Sequence, residues 1–270
     1  MITASIVTYN TPHQSIKKLI NCVLESIVDV IFIIDHSQND SLSILGNISP
    51  RIHYIRNANI GYGGGHNVAI NKAIELNSKY HIVINPDIFF EKGVIEELYN
   101  YMEKNIECGL LMPKILYPNG EMQYLCKLLP TPYDLFIRRF LPFKKYVEMR
   151  NAKYELRSMD YDSIMEVPSL SGCFMFINMD VLKKIGSFDE RFFMYAEDVD
   201  LCRRIGSISK TVYYPNVCVY HEYEKGSYKS FKLLKYHTIS MIKYFNKWGW
   251  FIDKKREEAN KNCLCKINYK

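Results

Sequence analysis

The sequence lacks any run of 18 apolar residues, so no segment is long enough to cross a bilayer as a helix. It has no C-x-x-C pair; Cys263 and Cys265 are the closest couple among eight cysteines, and their spacing matches no common zinc motif. Met1-Ile2-Thr3-Ala4 offers neither a basic stretch nor a long apolar one, so no secretory leader is read there and a cytosolic chain with reduced thiols is expected. Internal repeats and low-complexity tracts are missing too. What is present is ordinary globular composition, 48% apolar and 24% charged, which excludes a disordered, collagen-like or coiled-coil chain. A chain of 270 residues can bury a full core without disulfides or metal staples.

Charge is unevenly spread. From Lys225 to Lys270 twelve Lys/Arg face three Asp/Glu, a net +9, while the other 224 residues carry a net −3. A protein-wide nucleic-acid-binding face is therefore not expected. A basic tail that meets anionic lipid is consistent with this asymmetry.

The first half alternates strand and helix patterns. Ala4–Tyr9 reads as a strand ending at Asn10-Thr11-Pro12, and Ile16, Leu19, Ile20, Val23, Leu24 and Ile27 form a helical stripe. Val30–Ile34 is a continuous apolar run, the pattern of a strand buried on both faces, and it ends at Asp35-His36-Ser37. Ile52–Ile55 is a further strand. A Gly-rich loop over 57–67 feeds a helix through Asn77, and His81–Ile84 ends at Asn85-Pro86-Asp87. A helix near Val94–Met102 and a strand at Leu110–Met112 follow. Such alternation implies right-handed crossovers and a mostly parallel sheet, with ligands outside the carboxyl ends of its strands. Asn10, Asp35, the Gly-rich loop and Asp87 all fall at those ends.

Residues 113–165 lose the periodicity and are read as a long, partly ordered insertion; its segment 136–146 interleaves cations with large apolar residues. Order resumes with a strand over Leu170–Ile177, a short helix over Val181–Ile185, a helix from Asp198 to Ile205, and closing strands at Val212–Tyr214 and Val217–Tyr220. The tail from Tyr228 to Trp248 reads as a helix with apolar positions at Phe231, Leu234, Ile239, Ile242 and Phe245.

Four constellations carry chemistry. Gly61-Tyr62-Gly63-Gly64-Gly65-His66-Asn67 fails the dinucleotide fingerprint, which needs a glycine at 66, yet glycine lets backbone N–H groups approach a phosphate or ribose. A plain turn before a helix explains it equally well. Asn85-Pro86-Asp87 is either a common turn or a carboxylate that holds a divalent cation against a diphosphate. Glu197-Asp198-Val199-Asp200 opens a helix, where acidic residues are favoured by the dipole, but three carboxylates behind the aromatic run Phe192–Tyr195 exceed what a cap requires. Like charges at close range raise one another's pKa, which suits a general base. His221 ends an apolar strand beside Glu222 and Glu224, a position usually structural.

Together these residues resemble a family 2 glycosyltransferase with the GT-A fold, in the bacterial rhamnosyltransferase-like branch. The resemblance rests on Ser5–Asn10, Asp35-His36-Ser37, Asn57–Asn67, Asn85-Pro86-Asp87, Ser171-Gly172-Cys173, the Gly186–Arg204 block and His221. It implies that Thr8, Tyr9 and Asn10 line a nucleotide pocket, that Asp35 contacts the base, and that Asn59, Gly61 and Asn67 surround the nucleotide. It further implies that Asp87, with His221, holds Mn²⁺ or Mg²⁺ on the diphosphate. Asp198 is then the catalytic base and Glu197 helps to hold the acceptor. Asn85 departs from the Asp-x-Asp of many relatives and removes one carboxylate. The implied reaction is inverting transfer of a sugar, rhamnose as the first guess, from a dTDP- or UDP-sugar to a glycan acceptor, lipid-linked in one version, in cell-surface polysaccharide synthesis. The chain then divides into a GT-A domain over 1–225 (nucleotide-sugar half 1–112, insertion 113–168, acceptor half 169–225) and a basic helical extension over 226–270. A cytoplasmic location, peripheral on the inner membrane face, goes with the basic tail. Alternatives are a sugar-phosphate nucleotidyltransferase, disfavoured because no Gly-rich loop followed by Arg and Lys follows the first strand, and an inactive sugar-binding domain of the same fold.

Overall fold

The computed structural model describes residues 1–135, 143–222 and 230–266. Its first half is the expected alternation. Strand β1 (Ile2–Thr8) leads through helix α1 (His13–Leu24) to β2 (Val30–Asp35) and, past a short 3₁₀ turn, to β3 (Ile52–Arg56). Helix α2 (Tyr62–Glu75) returns the chain to β4 (Tyr80–Ile84), followed by β5 (Ile88–Phe90), α3 (Val94–Lys104) and β6 (Cys108–Leu116). Strands β1, β2 and β4 are almost wholly buried; β2 is an unbroken apolar run up to Asp35, whereas β1 and β4 also bury Thr3, Ser5, Thr8 and His81.

The supposed insertion is more ordered than expected. Strand β6 runs four residues past Met112, and β7 (Cys126–Lys127), α4 (Pro132–Leu135), α5 (Lys144–Tyr154) and β8 (Met165–Glu166) follow. Residues 136–142 of the interleaved segment lie outside the described residues. The strand expected at Leu170–Ile177 is two strands, β9 (Ser169–Leu170) and β10 (Phe174–Asn178), broken by the turn at Ser171-Gly172-Cys173. Helices α6 (Met179–Ile185) and α7 (Glu197–Ile205) lead to β11 (Lys210–His221). That strand is continuous, where two were expected, because a register shift between Tyr214 and Cys218 absorbs Pro215. The tail forms α8 (Phe231–Trp248) and a second helix, α9 (Lys254–Lys266), which the sequence reading missed. Tyr228, where the tail helix was expected to begin, is outside the described residues.

The main sheet has the order β3-β2-β1-β4-β10-β6-β11-β5, with β8 on β11. Strands β1 to β4 pair in parallel; β10 enters antiparallel to β4 and β6, and β5 antiparallel to β11. This mixed α/β sheet flanked by helices is the architecture the resemblance implied. Helix α8 buries Ser240, Met241, Tyr244 and Phe245 against Phe192 and Ala196. Of the expected stripe only Phe245 is buried: Phe231 is 85% exposed, and Ile239 and Ile242 are also exposed.

Candidate active site

The first group of polar residues stands at the ends of β1 and β2. Thr8 is buried and donates to Asp35 Oδ1 at 2.9 Å. The Ser37 N–H donates to the same oxygen at 3.0 Å, and the Tyr54 hydroxyl to Oδ2 at 2.9 Å. Burial alone would raise the Asp35 carboxyl, but these donors outweigh it and hold it below the usual carboxylate range. Tyr9 and Asn10 are exposed at the rim; Asn10 is left-handed (φ 52°) and its N–H donates to Ser37 Oγ at 2.8 Å.

The second group surrounds the start of α2. The Gly61 N–H donates to Asn59 Oδ1 at 3.1 Å. Gly61 is left-handed (φ 89°), and a Cβ there would lie 2.2 Å from the Phe193 carbonyl oxygen, which itself accepts from the Tyr62 N–H. The glycines that follow are not a loose loop: they lie inside α2, and a Cβ on Gly63 would lie 2.9 Å from Phe188 Cβ. Their smallness serves close packing, Gly63 against Phe188, Gly64 against Ile60 and Gly65 against His36 and Val7. Asn67 is buried and clamps that segment, bonding the Phe188 N–H and carbonyl at 3.0 and 2.9 Å and donating to Glu190 at 3.0 Å.

The third group joins residues far apart in sequence. β5 and β11 pair with His221 opposite Ile88, so Asp87 and His221 meet: Asp87 Oδ1 lies 3.3 Å from His221 Nε2. Asn85 Nδ2 is 3.5 Å from the same nitrogen. The Tyr62 hydroxyl shares its proton between Asn85 Oδ1 at 2.9 Å and the Gly172 carbonyl at 2.7 Å. The Gly172 N–H donates to Asp198 Oδ2 at 3.0 Å, and the Val199 N–H to Asp198 Oδ1 at 2.8 Å. A chain of contacts thus runs from His221 and Asp87 through Asn85, Tyr62 and Gly172 to Asp198.

Glu197 and Asp198 differ in environment. Asp198 is half-buried and oriented by two backbone donors. Glu197 is 6% exposed, and its Oε2 is buried without a hydrogen-bond partner. Burial first, then the neighbouring Asp198 charge, pushes its carboxyl well above the ordinary value. Asp200, grouped with these two in the sequence reading, turns away from them. Two residues along a helix is a rotation of ~200°, so Asp198 and Asp200 face opposite sides. Fully buried Asp200 accepts instead from Arg204 at 2.8 Å, Lys247 at 2.6 Å and Trp248 Nε1 at 2.8 Å.

Tyr195 and Ala196, just before Glu197, are both left-handed (φ 70° and 69°), a conformation costly for non-glycine residues. Helix α8 holds them there. Ser240 donates to the Met194 carbonyl at 2.8 Å, His237 packs edge-on against the Tyr195 ring, and Lys243 donates to the Arg191 carbonyl at 2.7 Å.

For His221, burial lowers the pKa, but the Asp87 carboxylate and the Cys173 thiol outweigh it and raise it to about 10. Two residues of this group escaped the sequence reading. Tyr62 stands inside the Gly-rich motif with no signal of its own, and Gln123, bonded to His221, lies in an aperiodic stretch that gives none. Among the described residues no cluster of three His, Cys, Asp or Glu side chains is placed to hold a metal ion.

A family model described as "Glycosyl transferase family 2" matches residues 3–186. Over 157 residues the chain is 31% identical to the low-salt glycan biosynthesis hexosyltransferase Agl10 of Haloferax volcanii, covering 57% of this chain and 46% of that protein. Over 174 residues it is 30% identical to the N-acetylglucosaminyl-diphospho-decaprenol L-rhamnosyltransferase of Mycobacterium tuberculosis, 61% of this chain and 56% of that one. The rhamnosyltransferase WbbL of Escherichia coli is 24% identical over 220 residues, 78% of this chain and 77% of WbbL. The chain thus spans about half the length of the first two relatives. The structure of GalNAc-T7 with UDP, GalNAc and Mn²⁺ superposes with a TM-score of 0.66 at 15% identity, over 99% of this chain and 56% of that one, a likeness of fold.

Proposed function

The chain belongs to glycosyl transferase family 2, and we propose on that premise that it is an inverting glycosyltransferase moving a sugar, rhamnose as the first choice, from a dTDP- or UDP-sugar to a glycan acceptor hydroxyl. The observation that carries this is the linked group Asp87–His221–Asn85–Tyr62–Gly172–Asp198, which sets a cation-binding pair and an oriented carboxylate on one connected frame. Thr8, Tyr9, Asn10 and Asp35, with Asn59, Gly61 and Asn67, are the donor-side residues of this reading.

The donor set fits a divalent cation. Ligand atoms on adjacent corners of an octahedron with bonds of ~2.1 Å stand ~3.0 Å apart. The 3.3 Å between Asp87 Oδ1 and His221 Nε2 is close to that edge, and Asp87 Oδ1 is buried and takes no hydrogen bond from any other described residue. One carboxylate and one imidazole leave the other positions to phosphate oxygens and water. Mn²⁺ tolerates imidazole better than Mg²⁺ does, so it should serve at least as well. Such a cation neutralises charge on a departing diphosphate.

Asp198, held by the Gly172 and Val199 N–H groups, accepts the proton of the acceptor hydroxyl as that oxygen attacks the anomeric carbon. Glu197, whose carboxyl burial pushes well above its ordinary value, lies beside it, against the first turn of α2. A single displacement of this kind inverts the anomeric centre and uses no covalent nucleophile. The mycobacterial relative's name describes a lipid-diphosphate acceptor, and this chain has features for work at such a surface. No helix among the described residues is long and apolar enough to cross a membrane, but the turn after α8 presents Phe251 and Ile252, 77% and 86% exposed, beside Lys254 and Lys255. Release of nucleoside diphosphate from a panel of dTDP- and UDP-sugars, with Mn²⁺ and with excess EDTA, tests the reading. Turnover with none of the donors overturns the assignment, and full turnover in EDTA overturns the cation's part in it.

A further inference from the structure

We infer that Gln123 is the positioning residue that fixes which nitrogen of His221 faces the cation pair; this rests on the reading of Asp87 and His221 as cation ligands. Gln123 is 4% exposed and His221 3%, so water cannot stand in for either partner. The Gln123 amide is oriented without ambiguity. Its Nε2 donates to the His221 carbonyl at 2.9 Å and to the Leu116 carbonyl at 3.3 Å. A flipped amide would set its oxygen against those two carbonyl oxygens, which only accept. The Oε1 must therefore face the imidazole, and it lies 3.1 Å from Nδ1.

An amide oxygen only accepts, so Nδ1 carries the hydrogen. A cation displaces the other ring proton, and the lone pair it then takes is on Nε2, the nitrogen 3.3 Å from Asp87 Oδ1. With the opposite tautomer Nε2 would present a hydrogen where a ligand lone pair is needed. Outer partners of this kind commonly orient ligating histidines and add to metal affinity. Gln123 is itself held in place: its N–H donates to the Ile115 carbonyl at 3.0 Å, and its neighbour Met122 bridges to Leu116 at the end of β6. The stretch between β6 and β7, aperiodic in sequence, thus supplies a precisely braced acceptor behind His221.

A purely structural Gln123, knitting β11 to β6, makes the competing forecast: altered stability with unchanged cation affinity in the folded protein. Binding of Mn²⁺ alone, followed by the electron paramagnetic resonance signal of the free ion, separates the two. Gln123→Leu is expected to weaken Mn²⁺ binding about 10–100-fold. Circular dichroism and thermal melts confirm that each variant is folded; if Gln123→Leu is not, the near-isosteric Gln123→Met takes its place. His221→Ala is measured alongside. If it binds Mn²⁺ as wild type does, the underlying ligand reading fails. If it binds weakly while the folded Leu or Met variant binds normally, the inference about Gln123 is overturned.

Discussion

Lys247 donates to Asp200 at 2.6 Å and so ties the last turn of α8 to the helix that opens with Glu197 and Asp198. The same ammonium reaches Asp189 at 2.7 Å, and Arg203 pairs with Asp253 ahead of α9 at 2.6 Å while lying over the Trp248 ring. Part of the basic charge of the tail is therefore internal. Lys247 answers acidic groups of the body, Arg203 of the body answers the tail's Asp253, and the helix that carries Lys247 braces the left-handed pair Tyr195-Ala196.

Lys247→Met should lower stability by about 1–3 kcal/mol, the scale of a charged hydrogen bond left without its partner. Arg204 and Trp248 remain on Asp200, so the fold should survive. Activity should fall further than stability accounts for, because residues 189–200 lose their brace. Urea unfolding with a double-mutant cycle against Asp200→Asn checks the first part, and turnover well below the melting temperature the second. A coupling energy near zero would mean that the pair is incidental.

Asp198→Asn should cut transfer by at least ~10²-fold, the lower end of general-base contributions, with donor affinity nearly intact. Glu197→Gln should be mild, since burial already pushes that carboxyl well above its ordinary value and so disfavours a charge there. Asp87→Asn should weaken donor and cation binding together. Inactive Glu197→Gln beside active Asp198→Asn would assign the base to the other carboxylate.

The parallel half of the sheet was legible because β2 is an unbroken apolar run, β1 and β4 are short apolar-rich segments, and polar residues follow each of them at the ligand edge. The third group was legible only residue by residue. The meeting of Asp87 with His221 depends on the β5–β11 register, which no local pattern encodes, and Gln123 sits where periodicity vanishes. Asp200 could have been set apart from Asp198 by helical geometry alone. The stripe expected on α8 failed for a different reason: its buried face is set by the segment 189–196 it packs on, and Ser240 and Tyr244 are buried there to make polar contacts that hydrophobic counting overlooks.

The exposed turn after α8 should bind anionic membrane. Phe251 and Ile252 point an apolar tip outward, and each cation near such a surface contributes about 1 kcal/mol. Sedimentation with anionic vesicles should carry the protein down, and Phe251→Asp with Ile252→Asp should release it while leaving the melting temperature unchanged. Equal binding to neutral and anionic vesicles, or none to either, removes the idea.

The last prediction concerns acid. Beneath α2 a buried row of polar groups joins His66 Nδ1 to Ser5 Oγ at 2.7 Å, Ser5 to His81 Nε2 at 2.8 Å and His81 Nδ1 to Thr3 Oγ1 at 2.7 Å. Both histidines are fully buried. Burial lowers His81 from 6.5 to about 3 and His66 well below its ordinary value; His36 is lowered as well. Above pH 6.5 these groups are neutral folded or unfolded. Below it the unfolded chain takes up protons that the fold refuses, so stability falls by up to about 1.4 kcal/mol per pH unit for each, down toward pH 3 for His81. His221 has the opposite sign: its pKa is raised to about 10, so its contribution is fully present below pH 6.5 and is lost as pH rises toward 10. It therefore does not mask the acid limb. Between pH 6.5 and 5 most carboxylates stay ionised, and histidines dominate the slope. Urea unfolding at pH 7.5, 6.0 and 5.0 should show the decline, and His81→Gln, though weaker at pH 7.5, should decline less steeply. Parallel curves for the two proteins across that window would mean that His81 is not held neutral by the fold.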